Sequence, residues 1–352
     1  MARTATQREV AAAAGVSPTT VSFVLAGRER EMKISPACAE RIRAAARKMD
    51  YRGNRHAKAL ATGKSGTLGL VSPGPAISHR HLFSQRLTAG VERRARERGH
   101  DLLFFGHRGD QSELTHAMSG LVDKRVDALL LPFFPASHLV RDRARRWPLV
   151  LLLTKAGNGY PSVSLDAEAG IRQAIEHLAG LGHRRVLRIG TRQGGAVQLP
   201  HREAAFLDAA RCHGMIPETR HVPIAHDPSS EVETHLAAYR QSLSALDLPR
   251  DATAVLCHND TMALALLNLC AERGLRVPRD LSVVGFDDLL AGFAFPPLTT
   301  VSHMLPEIGA QAVDLALDLL DNDRPYPCER EIRVAAQLVV RQSTGPAPGR
   351  RT

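Results

Sequence analysis

The sequence predicts a small all-α helix-turn-helix head joined to a large α/β domain of two lobes built on parallel sheets. Three observations predict it. Three capped helix signals crowd the first fifty residues, positive charge gathers in the same stretch, and from Thr67 onward short apolar runs alternate with amphipathic segments. A chain of 352 residues, 44% hydrophobic and 23% charged, has the core for two or three domains.

The first helix is predicted from Thr6, where Glu9 completes a capping box, through VAAAA to the stop at Gly15. Ser17 caps the second and Pro18 sits in its first turn, where a missing N–H costs nothing; Val21, Val24 and Leu25 make its apolar stripe before Gly27 ends it. Ser35-Pro36 repeats the start signal, and Ile42, Ala45, Ala46 and Met49 follow at helical spacing. Two helices across a tight Gly-containing turn, with a third across them, make a helix-turn-helix unit. A helical cap on the larger domain is the plainer alternative. Charge argues against it: residues 1–64 hold thirteen Lys or Arg and five acids, a balance of +8 out of +10 for the whole chain. Such a footprint points to a polyanion. Residues 51–66, YRGNRHAKALATGKSG, have a weak helical pattern and no apolar face able to fold alone, so they are expected to form a hinge that orders conditionally.

Beyond Thr67 the strands LGLVSP, DLLFFG, VDALLLPFF, PLVLLLT, RRVLRIG, TAVLCHND, LSVVGFDD and RVAAQLVV interleave with helices near 84–98, 111–124, 167–181, 202–214, 261–273 and 306–321. Continuous apolar strands of this kind lie in parallel sheets covered on both faces, and about ten of them suggest two lobes. The tail STGPAPGRRT, rich in Pro, Gly and Arg, is expected to be disordered from 346 to 352.

No apolar run reaches membrane-spanning length and the N-terminus lacks the apolar core of an export signal, so no membrane is expected and the cytoplasm is the default. Cys38, Cys212, Cys257, Cys270 and Cys328 are scattered without CxxC spacing and are expected to be packing residues, with no metal site and no cofactor. The chain has no GxSxG, P-loop, HExxH or strand-borne GxGxxG, so no catalytic residue is assigned and an enzyme is not expected.

VAAAAGVSPTTVSFVLAG, residues 10–27, resembles the LacI/GalR family of bacterial repressors, whose motif reads close to VAxxAGVSxxTVSxVLNG. The resemblance continues through ISPACAERIRAAARKMDYRGN, SGTLGLV, RVDALLLP, HLAGLGHRRVLRIG, TAVLCHNDTMALALL, GLRVPRDLSVVGFDD and PPLTTV, covering about residues 6 to 345. It implies a periplasmic-binding-protein-like (type I) two-lobe regulatory domain. Head 1–50, hinge 51–65 and effector-binding and dimerisation domain 66–345 follow, with the N-lobe at about 66–181 and 302–328 and the C-lobe at about 182–301 and 329–342. It further implies a sequence-specific transcriptional regulator in the bacterial cytoplasm, associated with the nucleoid. Such a regulator acts as a homodimer on a pseudo-palindromic double-stranded operator, usually as a repressor set by a small-molecule effector. A solute receptor of the same lobed fold, or a regulator without an effector, is the alternative reading; the missing export signal and the basic head argue against the first.

The resemblance assigns DNA contacts to Thr6, Ser17, Pro18, Thr19, Thr20, Ser22 and Phe23 in the head, with Pro18 and Thr19 at the main specificity positions. Phe23 replaces a frequent Arg or polar residue, so either a thymine-methyl contact or packing against the hinge is expected of it. In the hinge Leu60 matches a minor-groove wedge, or anchors the hinge to the lobe, with Asn54, Ala57 and Lys58 beside it. Gly53 stands where Pro is common. For the effector the resemblance selects Arg202, Asn259 and Asp287; Asp260 is expected to cap the helix from Thr261 instead. Departures from the family pattern place His79, Arg80, His81 and Phe83 at the cleft, with Thr154-Lys155 where Asp-Arg is common. These cationic groups favour an anionic effector over a plain sugar, or belong to the solvated surface. Arg202 and Asp287 are expected to grip opposite ends of a polar ligand in an open, wet cleft.

Overall fold

The computed structural model describes residues 5–25, 27–51, 64–71, 82–106, 111–133, 148–154, 160–193, 196–197, 199–223, 232–246, 251–321 and 330–349. Asn54, Ala57, Lys58, Leu60, His79, Arg80, His81 and Lys155, all singled out by the sequence, lie outside these residues, as do Gly53, Cys328 and the last three residues of the tail. The chain divides into two compact units, residues 1–67 with 119–127, and the remainder.

In the head, α1 (Gln7–Ala14), α2 (Pro18–Leu25) and α3 (Pro36–Lys48) start where the caps predict. Thr6 accepts from the Glu9 amide while Glu9 takes the Thr6 amide at 2.7 Å; Ser17 Oγ accepts from the Thr20 amide at 3.1 Å, and Ser35 caps α3. Gly15 closes α1 at φ +64°, a left-handed conformation that favours glycine. Val10, Ala11, Ala14, Val21, Val24, Ala39, Ile42 and Ala46 form the head's core. Leu25 and Met49, expected in the apolar stripes, are exposed. Both stand at helix ends.

The large domain contains β1 (Thr67–Val71), α4 (Leu82–Glu97), β2 (Asp101–Phe105), α5 (Gln111–Val122), β3 (Ala128–Pro132), β4 (Leu149–Leu152), β5 (Ser162–Asp166) and α6 (Ala167–Gly180). Next come β6 (Arg185–Gln193), β7 (Ala196–Val197), α7 (Pro200–Cys212), β8 (Ile216–Pro223), α8 (Val232–Ser244), β9 (Ala254–Cys257), α9 (Asp260–Glu272) and β10 (Ser282–Asp287). It ends with β11 (Thr299–Ser302), α10 (Leu305–Asp321), β12 (Glu331–Ala335) and β13 (Gln337–Val339). One sheet has the order β12-β5-β4-β3-β1-β2; the other runs β13-β11-β10-β9-β6-β7, with β8 also on β6. Apolar strands such as β3 and β4 are buried along their whole length, as two covered faces require.

Three expectations are corrected. RVAAQLVV is two strands: β12 pairs in parallel with β5 in the first sheet, and β13 runs antiparallel to β11 in the second. The chain therefore changes sheet at the buried Ala336, and residues 331–335, expected in the C-lobe, belong with the N-lobe strands. The segment 346–349 is not free, because the Ala347 amide donates to the Leu181 carbonyl at 2.9 Å and the preceding Gly345 carbonyl accepts from the buried His183. Of the cysteines expected to pack, Cys257 and Cys270 are buried whereas Cys212 is exposed. Strands β5, β8 and β11 and helix α8 were not separately legible, since polar residues such as Ser162, Ser164, Glu218, Arg220 and Thr300 break their apolar runs.

Candidate nucleic-acid interface and ligand cleft

α2 turns Val21 and Val24 into the head's core, which leaves Pro18, Thr19 and Ser22 exposed on its outer face. The hydroxyls of Ser17 and Thr20 lie 2.9 Å apart at the positive end of the same helix, where side chains and amides can meet phosphate. Thr6 is exposed, though its hydroxyl is engaged in the capping box. Gln7, which carried no signal in the sequence, braces the two helices: its Nε2 donates to the Pro18 carbonyl at 2.6 Å. Phe23 is half-buried, with the Arg28 guanidinium 5.4 Å from its ring centroid. Its aromatic face thus carries a cation beside the outward face of α2.

In the large domain, left-handed backbone gathers at the carboxyl ends of strands: Phe133 after β3, Leu153 after β4, Asp287 and Asp288 ending β10, and Met304 after β11. Strain of this kind accumulates at functional rims. Arg202, in the first turn of α7, lays its guanidinium 3.9 Å from the centroid of Phe286 and donates through Nη2 to His303 Nε2 at 3.1 Å. Arginine only donates, so this nitrogen accepts and the proton of the neutral imidazole sits on Nδ1, 3.1 Å from Asp287 Oδ1. Burial lowers the pKa of His303, which Asp287 opposes. Arg202 is also pulled down, to about 10, first by burial and against the attraction of Asp287. Its Nε is buried without a hydrogen-bond partner.

Arg202 and Asp287 are brought together through His303, with the Arg202 Nε buried and the Asp287 side chain partly exposed. An aromatic face and a carboxylate one imidazole away offset the desolvation of Arg202. Phe83, at the start of α4, meets Phe133 at 5.5 Å and the edge of His303 at 5.2 Å, and His303 meets Phe286 at 5.0 Å. An aromatic chain thereby joins the two sheets across their strand ends.

The cap expected of Asp260 is supplied by Asn259. Asn259 is the cap of α9, accepting from the Met262 amide at 2.8 Å and donating to the Tyr239 hydroxyl at 3.0 Å. Asp260 is buried and accepts from Thr300 Oγ1 at 2.6 Å and from the Leu289 amide at 2.8 Å, tying α9 to β11 and to the loop after β10. Burial first, then the nearby Asp287, pushes its pKa up to about 7. His303, Phe286 and Phe133 were missed. A single His after a polar strand and a Phe within GFDD read equally well as packing residues.

An exposed helix on a basic three-helix head, followed by two parallel sheets with a charged, aromatic cluster at their strand ends, defines a two-lobed DNA-binding transcriptional regulator. Residues 6–54 match the family described as bacterial regulatory proteins, lacI family, and residues 175–344 match a periplasmic binding protein-like domain. The transcriptional regulator DegA of Bacillus subtilis is 31% identical over 96% of this chain and 97% of its own length; the transcriptional repressor CytR of Escherichia coli is 29% identical over 98% and 97%. The chain belongs to the lacI family of bacterial regulatory proteins. Among solved structures, the Lac repressor dimer bound to operator and the anti-inducer ONPF superposes with a TM-score of 0.75 at 26% identity, covering 97% of this chain and all of that one. The complex of the regulator CelR with cellobiose gives 0.62 at 26% identity, covering 96% and 99%.

Proposed function

We propose that the chain is a homodimeric repressor that reads a pseudo-palindromic operator and whose DNA affinity is set by a small polar effector, a sugar or an anionic metabolite. Ser17, Pro18, Thr19, Thr20, Ser22 and Phe23 meet DNA, with Thr6 orienting α1 on the backbone. Asn54, Ala57, Lys58 and Leu60 carry the hinge into the minor groove. Arg202, Asp287 and Phe83 hold the effector, together with His79, His81 and Lys155; Asn259 shapes the cleft wall by capping α9. The chain carries no catalytic task and works in the cytoplasm.

The observation that supports this reading best is Arg202, a buried guanidinium with a free Nε over the Phe286 ring, placed where open α/β sheets take ligands. The Lac repressor structure, with operator and anti-inducer on one dimer, shows that this fold supports both tasks in a relative. Selection of bound DNA from a random pool, with and without candidate metabolites, tests it. A pseudo-palindrome whose recovery changes with one metabolite is expected; bound DNA without two-fold symmetry, or selection indifferent to every polar metabolite, would overturn it.

A further inference from the structure

Beneath the N-terminal turn of α7 lies a second arginine that neither the family motifs nor the sequence singled out. Arg188 stands in the middle of β6 and is 2% exposed. On a strand whose neighbours Leu187 and Ile189 are fully buried, an apolar residue would be the ordinary choice. The guanidinium runs along the strand toward its carboxyl end: a Cβ on Gly190, two residues ahead, would come within 2.6 Å of Arg188 Nη1 and 2.9 Å of the His221 ring. The glycine keeps open the path by which the charge points at the ligand-facing end of the sheet.

The charge at that end is incompletely matched. Arg188 Nη1 is buried and makes no hydrogen bond. The nearest carboxylate oxygen, Glu203 Oε2, is 3.8 Å away and accepts from His221 Nε2 at 2.8 Å. Glu203 follows Arg202 in the sequence, so both arginines lie near α7's first turn, where the charge of Arg188 disfavours that of Arg202. Arg202 Nε is likewise a buried donor without a partner. Two buried N–H groups on neighbouring cations, left without acceptors, cost stability in the protein alone. Such an arrangement is repaid when an anion accepts both N–H groups at once.

We propose that Arg188 is a specificity residue of the cleft, and that Arg188 and Arg202 together select an effector bearing a carboxylate or phosphate group. The inference rests on the effector reading of Arg202 given above and narrows it from polar ligands to anionic ones.

The test uses the full chain and compares inorganic phosphate, succinate and chloride at matched ionic strength, reading the thermal midpoint of the wild type, Arg188→Met, Arg188→Lys and Arg202→Ala. The wild type gains several degrees from phosphate or succinate over chloride, and which of the two acts assigns the anion. Arg188→Met loses that gain, and Arg188→Lys keeps part of it with roughly tenfold weaker binding, since an ammonium cannot reproduce the fork. Without added anion, Arg188→Met melts higher than the wild type, because an uncompensated buried charge has been removed; a purely structural Arg188–Glu203 pair would give a lower melt. Equal response to all three salts, or an undiminished gain in Arg188→Met, overturns the proposal. If Arg202→Ala loses the gain while Arg188→Met keeps it, Arg188 is wrongly assigned and the cleft reading survives; if both keep it, the cleft reading falls too.

Discussion

At the scale of single residues, Asp260 is a carboxyl whose chemistry departs far from its ordinary behaviour. Its pKa is raised to about 7, so the folded chain holds its proton more tightly than the unfolded chain does. The associated stability is fully present below the unfolded carboxylate range near pH 4 and is lost as pH rises through about 7, at up to about 1.4 kcal/mol per pH unit inside that window. Asp260→Asn keeps the shape, with its oxygen toward the Leu289 amide and its nitrogen toward Thr300, and has no proton to lose. Denaturant midpoints from pH 5 to 8 should therefore fall for the wild type relative to the variant; parallel curves would show that Asp260 is ionised throughout. That Asn259 and not Asp260 caps α9 was not legible beforehand. Both residue types cap helices, and only the tertiary position of Thr300 and the 289–290 loop decides which of the two is drawn inward.

At the scale of elements, α4 and α10 touch backbone to backbone. A Cβ on Gly309 would come within 2.6 Å of the Leu87 carbonyl oxygen, and one on Gly90 within 2.2 Å of the Pro306 carbonyl oxygen. Gly309→Ala should destabilise the chain by about 1–3 kcal/mol in urea denaturation, because backbone atoms cannot step aside as side chains do. Gly180→Ala, at the end of α6 with open space around it, should leave stability unchanged or raise it. Equal effects would mean that the helix contact is looser than these distances imply. The elements that the sequence revealed are those with strong local signals: capped head helices, the apolar strands β3, β4, β9 and β10, and the long helix α10. β8 escaped because its residues are largely half-exposed, and the change of sheet at Ala336 escaped because a strand's partners are not written in its own residues. Likewise the cleft's Arg202 and Asp287 were legible through motif position, whereas His303, which stands between them, was fixed only by folding.

At the scale of the whole molecule, a basic head and a ligand-sensing domain gain their use from being coupled, and an effector alters DNA affinity only to the extent that it binds one conformation better than another. Assembly is part of that coupling, since one head meets one half of a two-fold site. Sedimentation at micromolar concentration should show two chains; a monomer or a stable tetramer would contradict this. The central claim is that the cluster around Arg202 controls the head. The direct measurement is affinity for the selected operator against concentration of the metabolite that changes its recovery, in wild type and Arg202→Ala. The account predicts that the wild type shifts its operator affinity by roughly 5–150-fold at saturation, while Arg202→Ala binds operator near wild-type strength without metabolite and does not shift. An undiminished shift in Arg202→Ala would contradict it.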